Sequence, residues 1–439
     1  MKTCYIESLG CAKNLVDSER FAAILAAAGY QLSFDVEGAE IVLINTCAFL
    51  QSSLAELEDV LDVVVELKQA KQIRRIIVSG CVTKRNLQDF QDAYPEVDNW
   101  IDLKDFDAFA KLLKSRNEQL RIPLEEGFHT YLRISDGCQN YCSYCKIPSI
   151  RGVLQSVPIP ELVAEAKRLA QTAVLNNESN EALFPQELIL IAQDTCLYGL
   201  DIYGKQALPE LLAALHEVQG FKWIRLMYLH PDHFLPEWLP LFKLYPRLLP
   251  YFEVPIQHCS TKILKAMNRS KGKEELAELF AQIKQEIPNA AIRTTLITGF
   301  PGETKREWEE LCTFIDEIPF LHVGTFAYSP EDGTPAYSFA KRPATRTALS
   351  RQDKLEMLWA DIQAERMNEI IDKSFPTLVE QAVEGTENEY RGRVWFQAPD
   401  IDGNIFIDAP NLQPGSIINV TIDDAIGNTL FGHPTNNED

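Results

Sequence analysis

Cys138, Cys142 and Cys145 fall within eight residues, spaced C-x3-C-x2-C. A loop this short can wrap three thiolates around one face of a metal centre, and it leaves that centre one ligand short. A structural zinc site closes its tetrahedron with four protein ligands, and its cysteines prefer paired C-x2-C spacing. An iron–sulfur cluster normally takes four cysteines, so three would leave one iron open for another ligand. The spacing favours such a cluster over the two plainer readings, a zinc knuckle borrowing a distant histidine and three thiols that merely pack.

A second triplet is scattered through the first hundred residues. Thr3–Ser8, Ala39–Asn45 and Arg74–Ser79 read as strands, and Cys11, Cys47 and Cys81 each lie just past one of them. Helical patterns separate the strands: Glu19–Ala28, with Asp17 or Ser18 as cap and Gly29 at its end, and Gln51–Gln72. Continuous apolar runs alternating with helices imply an open parallel sheet covered on both faces. Ligands of such sheets bind in the crevice beyond the strand ends, where these cysteines would converge. A three-cysteine site there again leaves a position open. The plainer reading, a buried inert thiol, suits Cys4 inside its strand, and Cys196, Cys259 and Cys312, which have no cluster spacing.

Positioning the C-x3-C-x2-C loop falls to the middle of the chain, after a helix and charged connector over Asp102–Arg121. Strand-like runs follow at Tyr131–Ser135, Glu187–Asp194, Trp223–Leu229, Tyr251–Gln257, Ala291–Phe300 and His322–Ser329. Helical patterns lie between them, at Ile159–Ala173, Leu208–Val218, Lys273–Glu286 and Glu303–Glu317. Six such units fall short of the eight in a closed barrel, so a partial (β/α)6 barrel is expected, with the cysteine loop after its first strand. The Gly/Pro-rich Ile297–Glu303 segment could bring its backbone close to a ligand, or be an ordinary turn. Gln193 and Asp194 end the second strand with hydrogen-bonding side chains, as site residues or as a helix cap. His230 and His258 also end strands and receive no role. After a helix-forming Pro343–Lys373 segment, short alternating runs at Val379–Val383, Tyr390–Phe396, Asn404–Ile407 and Ile417–Ile422 suggest a small antiparallel β-barrel.

The 439 residues suffice for two or three domains, with ordinary apolar (46%) and charged (24%) content. No apolar run reaches membrane-spanning length and no secretory signal is visible, so the cytoplasm is expected, where thiols stay reduced. The net charge of −21 repels polyanions, which argues against DNA and free RNA. From Ile371 onward three basic residues face twelve acidic ones, a better match for a basic protein than for phosphates.

Several segments carry a resemblance. Ser8-Leu-Gly-Cys-Ala-Lys-Asn-Leu-Val-Asp-Ser-Glu19, Asn45-Thr-Cys47, the Asp136-Gly-Cys138 loop with Tyr144, and Ile147-Pro-Ser-Ile-Arg-Gly152 resemble the methylthiotransferases of the radical S-adenosylmethionine (SAM) superfamily. The resemblance covers essentially the whole chain. It implies an α/β multidomain protein: a methylthiotransferase N-terminal domain (1–118), a radical SAM core (124–363) and an OB-like TRAM barrel (366–433). It further implies two [4Fe–4S] clusters, one on Cys138, Cys142 and Cys145 that cleaves SAM to a 5′-deoxyadenosyl radical, and an auxiliary one on Cys11, Cys47 and Cys81 whose open iron carries the sulfur to be methylated and transferred. Tyr144, Gly299, Pro301 and Glu303, with Gln193 and Asp194, would contact SAM. Leu9–Asn14, Pro255–His258, Phe326–Thr334 and Ala398–Gly403 are similar to the branch that methylthiolates an aspartate β-carbon of ribosomal protein uS12. The other branch modifies tRNA adenosine, and a non-enzymatic, metal-binding ribosomal scaffold is a third reading. Cys196 and Cys259 depart from the family pattern of Thr and Ala. No feature identifies the sulfur-donor or electron-donor proteins.

Overall fold

The computed structural model describes residues 2–116, 120–173 and 183–435. Its first unit is a five-stranded parallel sheet of β1 (Lys2–Ser8), β2 (Tyr30–Leu32), β3 (Ile41–Thr46), β4 (Arg75–Gly80) and β5 (Asn99–Trp100), in the order β2-β1-β3-β4-β5. The central strand β3 is buried along its whole length, which explains its unbroken apolar run. Ile41 and Leu43 pack with Phe21 and Ile24 of helix α1 (Ala12–Ala27), while Val42 and Ile44 pack with Leu54, Leu57 and Leu61 of the Gln51–Gln69 helix. The edge strands β2 and β5, three and two residues long, carry too short a pattern to be read in advance.

The start of α1 corrects the sequence reading. Its N-cap is Cys11, so Asp17 and Ser18 lie inside the helix rather than capping it. Both are buried: Asp17 pairs with Arg133 at 2.6 Å, and Ser18 Oγ meets Ser8 Oγ at 2.7 Å. The first turns bury polar side chains against other elements, so they lack the apolar periodicity that marks a helix.

All six barrel strands are present. After β6 (His129–Arg133), β7 (Ser135–Asp136) pairs antiparallel with β8 (Gln155–Ser156), closing the base of the cysteine loop. Then follow β9 (Glu187–Ile191), β10 (Trp223–Leu226), β11 (Tyr251–Glu253), β12 (Ala291–Thr298) and β13 (His322–Ala327). They form two parallel three-stranded arcs, β10-β9-β6 and β11-β12-β13, linked by an isolated parallel bridge between Ile224 and Leu248. Several strands stop short of the apolar runs, β11 at Glu253 rather than Gln257, because the remaining residues turn into loops at the strand ends. A 24-residue helix, Thr345–Asn368, packs on β12 and β13.

The last unit is a closed barrel of β14 (Ser374–Ala382), β15 (Glu389–Val394), β16 (Ile405–Asp408), β17 (Ile417–Ile426) and β18 (Thr429–Pro434), in the order β14-β15-β16-β18-β17. The fifth strand, beyond the four expected, closes it through a parallel pairing with β16. This barrel docks on early residues of the central strands. Arg225 binds Glu187 at 2.5 Å and donates to Trp395 O at 2.9 Å, while Asp402 accepts from Arg293 and from Tyr251 Oη, both at 2.5 Å. Among the described residues, no helix is long and apolar enough to cross a membrane.

Candidate active site

The C-x3-C-x2-C loop is fastened at several points. Cys138 N donates to Gly152 O at 3.0 Å, and Gly137 has φ +73° where a Cβ would lie 2.1 Å from Val153 O, so only glycine fits the turn into the loop. Ser143 Oγ donates to Ala266 O at 2.7 Å, Ala336 N donates to Ser143 O at 2.8 Å, and Asn268 Nδ2 donates to the carbonyls of Asn140 and Tyr141. Ile147 N points at Cys145 Sγ at 3.5 Å. Burial pushes the Cys138 thiol up to about 11 and that of Cys145 up to about 12. A thiol disfavoured as a free thiolate is compensated when a metal ion replaces its proton.

The N-terminal triplet assembles from three strand ends. Cys11 follows β1, Cys47 follows β3, and Cys81 opens a 3-10 turn after β4. Two glycines allow the approach. Gly10 and Gly80 both have φ +99°; a Cβ on Gly10 would sit 2.6 Å from Cys47 Cβ, and one on Gly80 would sit 2.5 Å from Thr46 N and O. Burial raises the Cys81 thiol to about 12, opposed first by the Arg151 guanidinium; Cys47 is likewise raised by burial.

A buried polar seam joins the two cysteine groups. Arg151, just after the loop, reaches Asn14 Oδ1 at 2.5 Å, Cys81 Sγ at 3.9 Å and Asp136 Oδ2 at 3.2 Å. Asn14 Nδ2 in turn donates to Leu9 O and Thr46 O, at the ends of β1 and β3. Arg151, Arg133 and Lys104 together hold the Asp136 carboxyl well below the usual range despite its burial. A cavity of about 310 Å³ opens beside this seam, lined by Gly10, Cys11, Tyr131, Ile191, Tyr228 and Asp400 among others.

The other residues singled out in the sequence fall into two groups. Tyr144 accepts from Arg269 at 3.1 Å and stands edge-on to Phe300 at 6.4 Å, which ties the cysteine loop to the Gly299–Glu303 turn. In that turn Gly299 (φ +76°) abuts Ala348, where a Cβ would meet Ala348 Cβ at 2.2 Å. Pro301 is buried, and Glu303 turns inward, accepting from Gly299 N at 2.6 Å and Arg351 at 2.7 Å. In the second group, Gln193 Nε2 donates to Asp136 Oδ1 at 3.0 Å, leaving its buried Oε1 without a partner among the described residues. Asp194 accepts from Asn140 Nδ2 at 2.8 Å and meets His233 Nδ1 at 2.7 Å. His230 stacks on His233 and is pushed down to about 3 by burial. His258, also at about 3, accepts from Ser260 N at 2.9 Å.

Comparison with known proteins decides the family. Models of the uncharacterized protein family UPF0004, the radical SAM superfamily and the TRAM domain match residues 3–102, 132–315 and 371–434. The chain is 37% identical to the protein named ribosomal protein uS12 methylthiotransferase RimO of Clostridioides difficile, over 97% of each chain. It is 37% identical to the one of Thermotoga maritima, over 92% of this chain and 93% of that one. The chain belongs to the RimO family of radical SAM methylthiotransferases. A solved structure of the cobalamin-dependent SAM radical enzyme OxsB shares the fold, with a TM-score of 0.51 at 11% identity over 81% of this chain and 56% of that one.

Radical SAM methylthiotransferases use SAM and iron–sulfur chemistry, and the cysteine spacing fits that chemistry. Three thiolates 2.3 Å from one tetrahedral zinc stand about 3.8 Å apart. Among the described residues, the side-chain groups gathered within 4.8 Å are Asp194, His230 and His233, and Glu125, His129 and Asp400; the sulfurs of neither cysteine triplet gather so closely. Thiolates bound to separate irons of a cube need not stand that close together. Sequence reasoning missed Asp17, Arg133, Arg151, Arg269 and His233 as parts of this RimO-family site. Arg151 and Asp17 stood inside quoted motifs, but a charged side chain carries no sequence signal of burial.

Proposed function

We propose that this chain methylthiolates the β-carbon of an aspartate of ribosomal protein uS12, in the cytoplasm. The convergence of Cys11, Cys47 and Cys81, tied by Arg151 to Asp136 at the start of the Cys138–Cys145 loop, carries the reading. The relatives' name supports uS12 as the substrate, and the acidic C-terminal barrel supports a basic protein partner over tRNA. In this reading Cys138, Cys142 and Cys145 hold one [4Fe–4S] cluster and Cys11, Cys47 and Cys81 the other, with boundaries at 1–118, 124–363 and 366–433. When bound, the clusters and SAM supply hydrogen abstraction from an unactivated carbon and the methylated sulfur to be transferred.

The chain's own residues set the stage. Arg269 fixes the Tyr144 hydroxyl and its positive charge lies near the loop thiols. Gln193 Oε1, buried without a partner among the described residues, offers an acceptor to a SAM ammonium or hydroxyl. The seam at Arg151 holds the two cysteine groups in fixed register.

Mass spectrometry of uS12 and of tRNA nucleosides from a deletion strain tests the substrate. uS12 loses the methylthio mass while tRNA keeps its own; the opposite pattern refutes the reading. Anaerobic reconstitution gives about eight irons per chain, and a count of about four, or zinc alone, sinks the two-cluster assignment. Cys47→Ala abolishes methylthio transfer while 5′-deoxyadenosine release continues. Equal loss of both counts against the division of labour.

A further inference from the structure

Lys13 lies two residues past Cys11, in the first turn of α1, and its side chain is 7% exposed. A buried ammonium needs a counter-charge, because desolvation is not repaid otherwise. Its neighbours on the seam have theirs: Arg133 pairs with Asp17 at 2.6 Å, Arg151 with Asp136 at 3.2 Å, and Arg121 with Glu19 at 2.5 Å. The negative groups whose charge reaches Lys13 are Cys11, two residues away, and the carboxylates of Glu253 and Asp136, both engaged elsewhere. Glu253 Oε2 accepts the Tyr228 amide at 2.6 Å, and Asp136 is shared by Arg151 and Lys104. Among the described residues, no carboxylate stands within ion-pair distance of the Lys13 Nζ.

The ammonium rests instead over the ring of Tyr228, 3.4 Å from its centroid. Tyr228 adopts φ +63°, a left-handed conformation that costs a non-glycine residue energy and recurs at functional sites. Its ring and Cys11 both line the 310 Å³ cavity. The N-terminal end of α1, at Cys11 and Ala12, meets the same cavity and adds positive potential there, while Glu125 and Asp400 line its other side.

We propose that the Lys13 ammonium receives the side-chain carboxylate of the substrate. The inference rests on the aspartate reading of the preceding subsection. It also extends that reading: a carboxylate held on Nζ puts the substrate β-carbon one bond from that carboxylate, on the Cys11 side of the cavity. Lysine suits the task because its ammonium is a compact charge with three rotatable donors. A substrate bearing an amide there leaves the charge unmatched, so the same contact that positions the carbon selects the acid.

The test measures anaerobic binding to the reconstituted protein of two labelled peptides, one spanning the uS12 aspartate and one with asparagine in its place. The wild type binds the aspartate peptide roughly 30-fold more tightly or better, the scale of truncating one partner of a buried charge pair. Lys13→Met binds both peptides at the weaker level while its iron content stays that of the wild type, and Lys13→Arg restores part of the preference. Equal binding of the two peptides by the wild type overturns the proposal without any variant. So does Lys13→Met keeping the preference, or losing iron together with it. If the wild type binds neither peptide and uS12 is unmodified in cells, the aspartate reading itself falls and takes this inference with it. Binding of the aspartate peptide with the preference unchanged in Lys13→Met refutes this inference alone.

Discussion

Glu187→Gln is expected to loosen the seam between the central and C-terminal barrels by about 4 kcal/mol. Glu187 is fully buried and serves two guanidiniums, Arg225 at 2.5 Å and Arg393 at 2.9 Å. Arg225 is itself fully buried, and its remaining acceptors are the neutral carbonyls of Trp395 and Gln397, at 2.9 and 3.3 Å. Breaking a buried pair from one side costs about 3–5 kcal/mol because the other charge stays behind. Arg393 keeps Glu380 at 2.8 Å, which holds the estimate to the middle of that range rather than doubling it. The amide preserves shape, so packing loss adds little. A urea titration followed by tryptophan emission reads the effect through Trp395, which sits on the seam, and a Trp395→Phe companion isolates its signal. Urea is the right denaturant because guanidinium salts would screen the charges under test. Glu210→Gln is the control: its pair with Lys205 is exposed and worth at most about 1 kcal/mol. If Glu187→Gln shifts the seam transition by under about 1 kcal/mol, the buried network is not what fastens the barrel.

Gly80→Ala should cost the cluster proposed for Cys11, Cys47 and Cys81, because a Cβ 2.5 Å from Thr46 N and O at φ +99° displaces the turn that carries Cys81; under the two-cluster proposal reconstituted iron falls from about eight to about four per chain, and a full complement refutes it. Stability should fall on acidification well before the carboxylates titrate. His230 and His258 have folded values of about 3, pushed down by burial, against about 6.5 unfolded. Both are neutral in either state above pH 6.5; below it the unfolded chain takes up protons the folded one refuses, at about 1.4 kcal/mol per group per pH unit. Between pH 6.5 and 5 the two together remove about 3 kcal/mol, because the slope is only half its full value at pH 6.5. Urea midpoints across that range measure it, and a flat profile sinks the reasoning.

What the sequence disclosed and what it hid follow one physical division. Cysteines reveal themselves by spacing, as in the 138–145 loop, or by recurring just past strand ends, as at 11, 47 and 81. Parallel strands reveal themselves because both faces are buried, so β3 and β9 read as continuous apolar runs. The seam was hidden because its partners are far apart in sequence: Arg133 meets Asp17 across 116 positions and Arg151 meets Asn14 across 137. The same cause moved the start of α1, whose first turns bury polar groups rather than an apolar stripe. At Gly299 the sequence raised two readings, close approach to a ligand and plain packing, and the structure places Ala348 against that glycine.

The two charged seams stand in different relations to the chemistry. Buried ion pairs often add little net stability, and their best-attested use is to fix one arrangement among several. The seam at Glu187 and Asp402 lies on early residues of the barrel strands, so its work is to hold the acidic barrel in one orientation. The seam at Arg151 lies at the strand ends themselves, and besides its pair with Asp17 its contacts end on a cysteine or on a residue beside one. Arg151 touches Cys81 Sγ, and Asp136 precedes Cys138 by two residues. Asn14 caps the loops leading to Cys11 and Cys47 through Leu9 O and Thr46 O. A shift of the cysteine loop therefore moves Arg151, and through Asn14 it moves the ends of β1 and β3. Reactions divided between two sites need a fixed distance between them, since a misplacement of about 1 Å can cost 100-fold in rate. Lys13 sits within this fixed frame with no carboxylate of its own among the described residues, which is where the proposed substrate carboxylate would complete it.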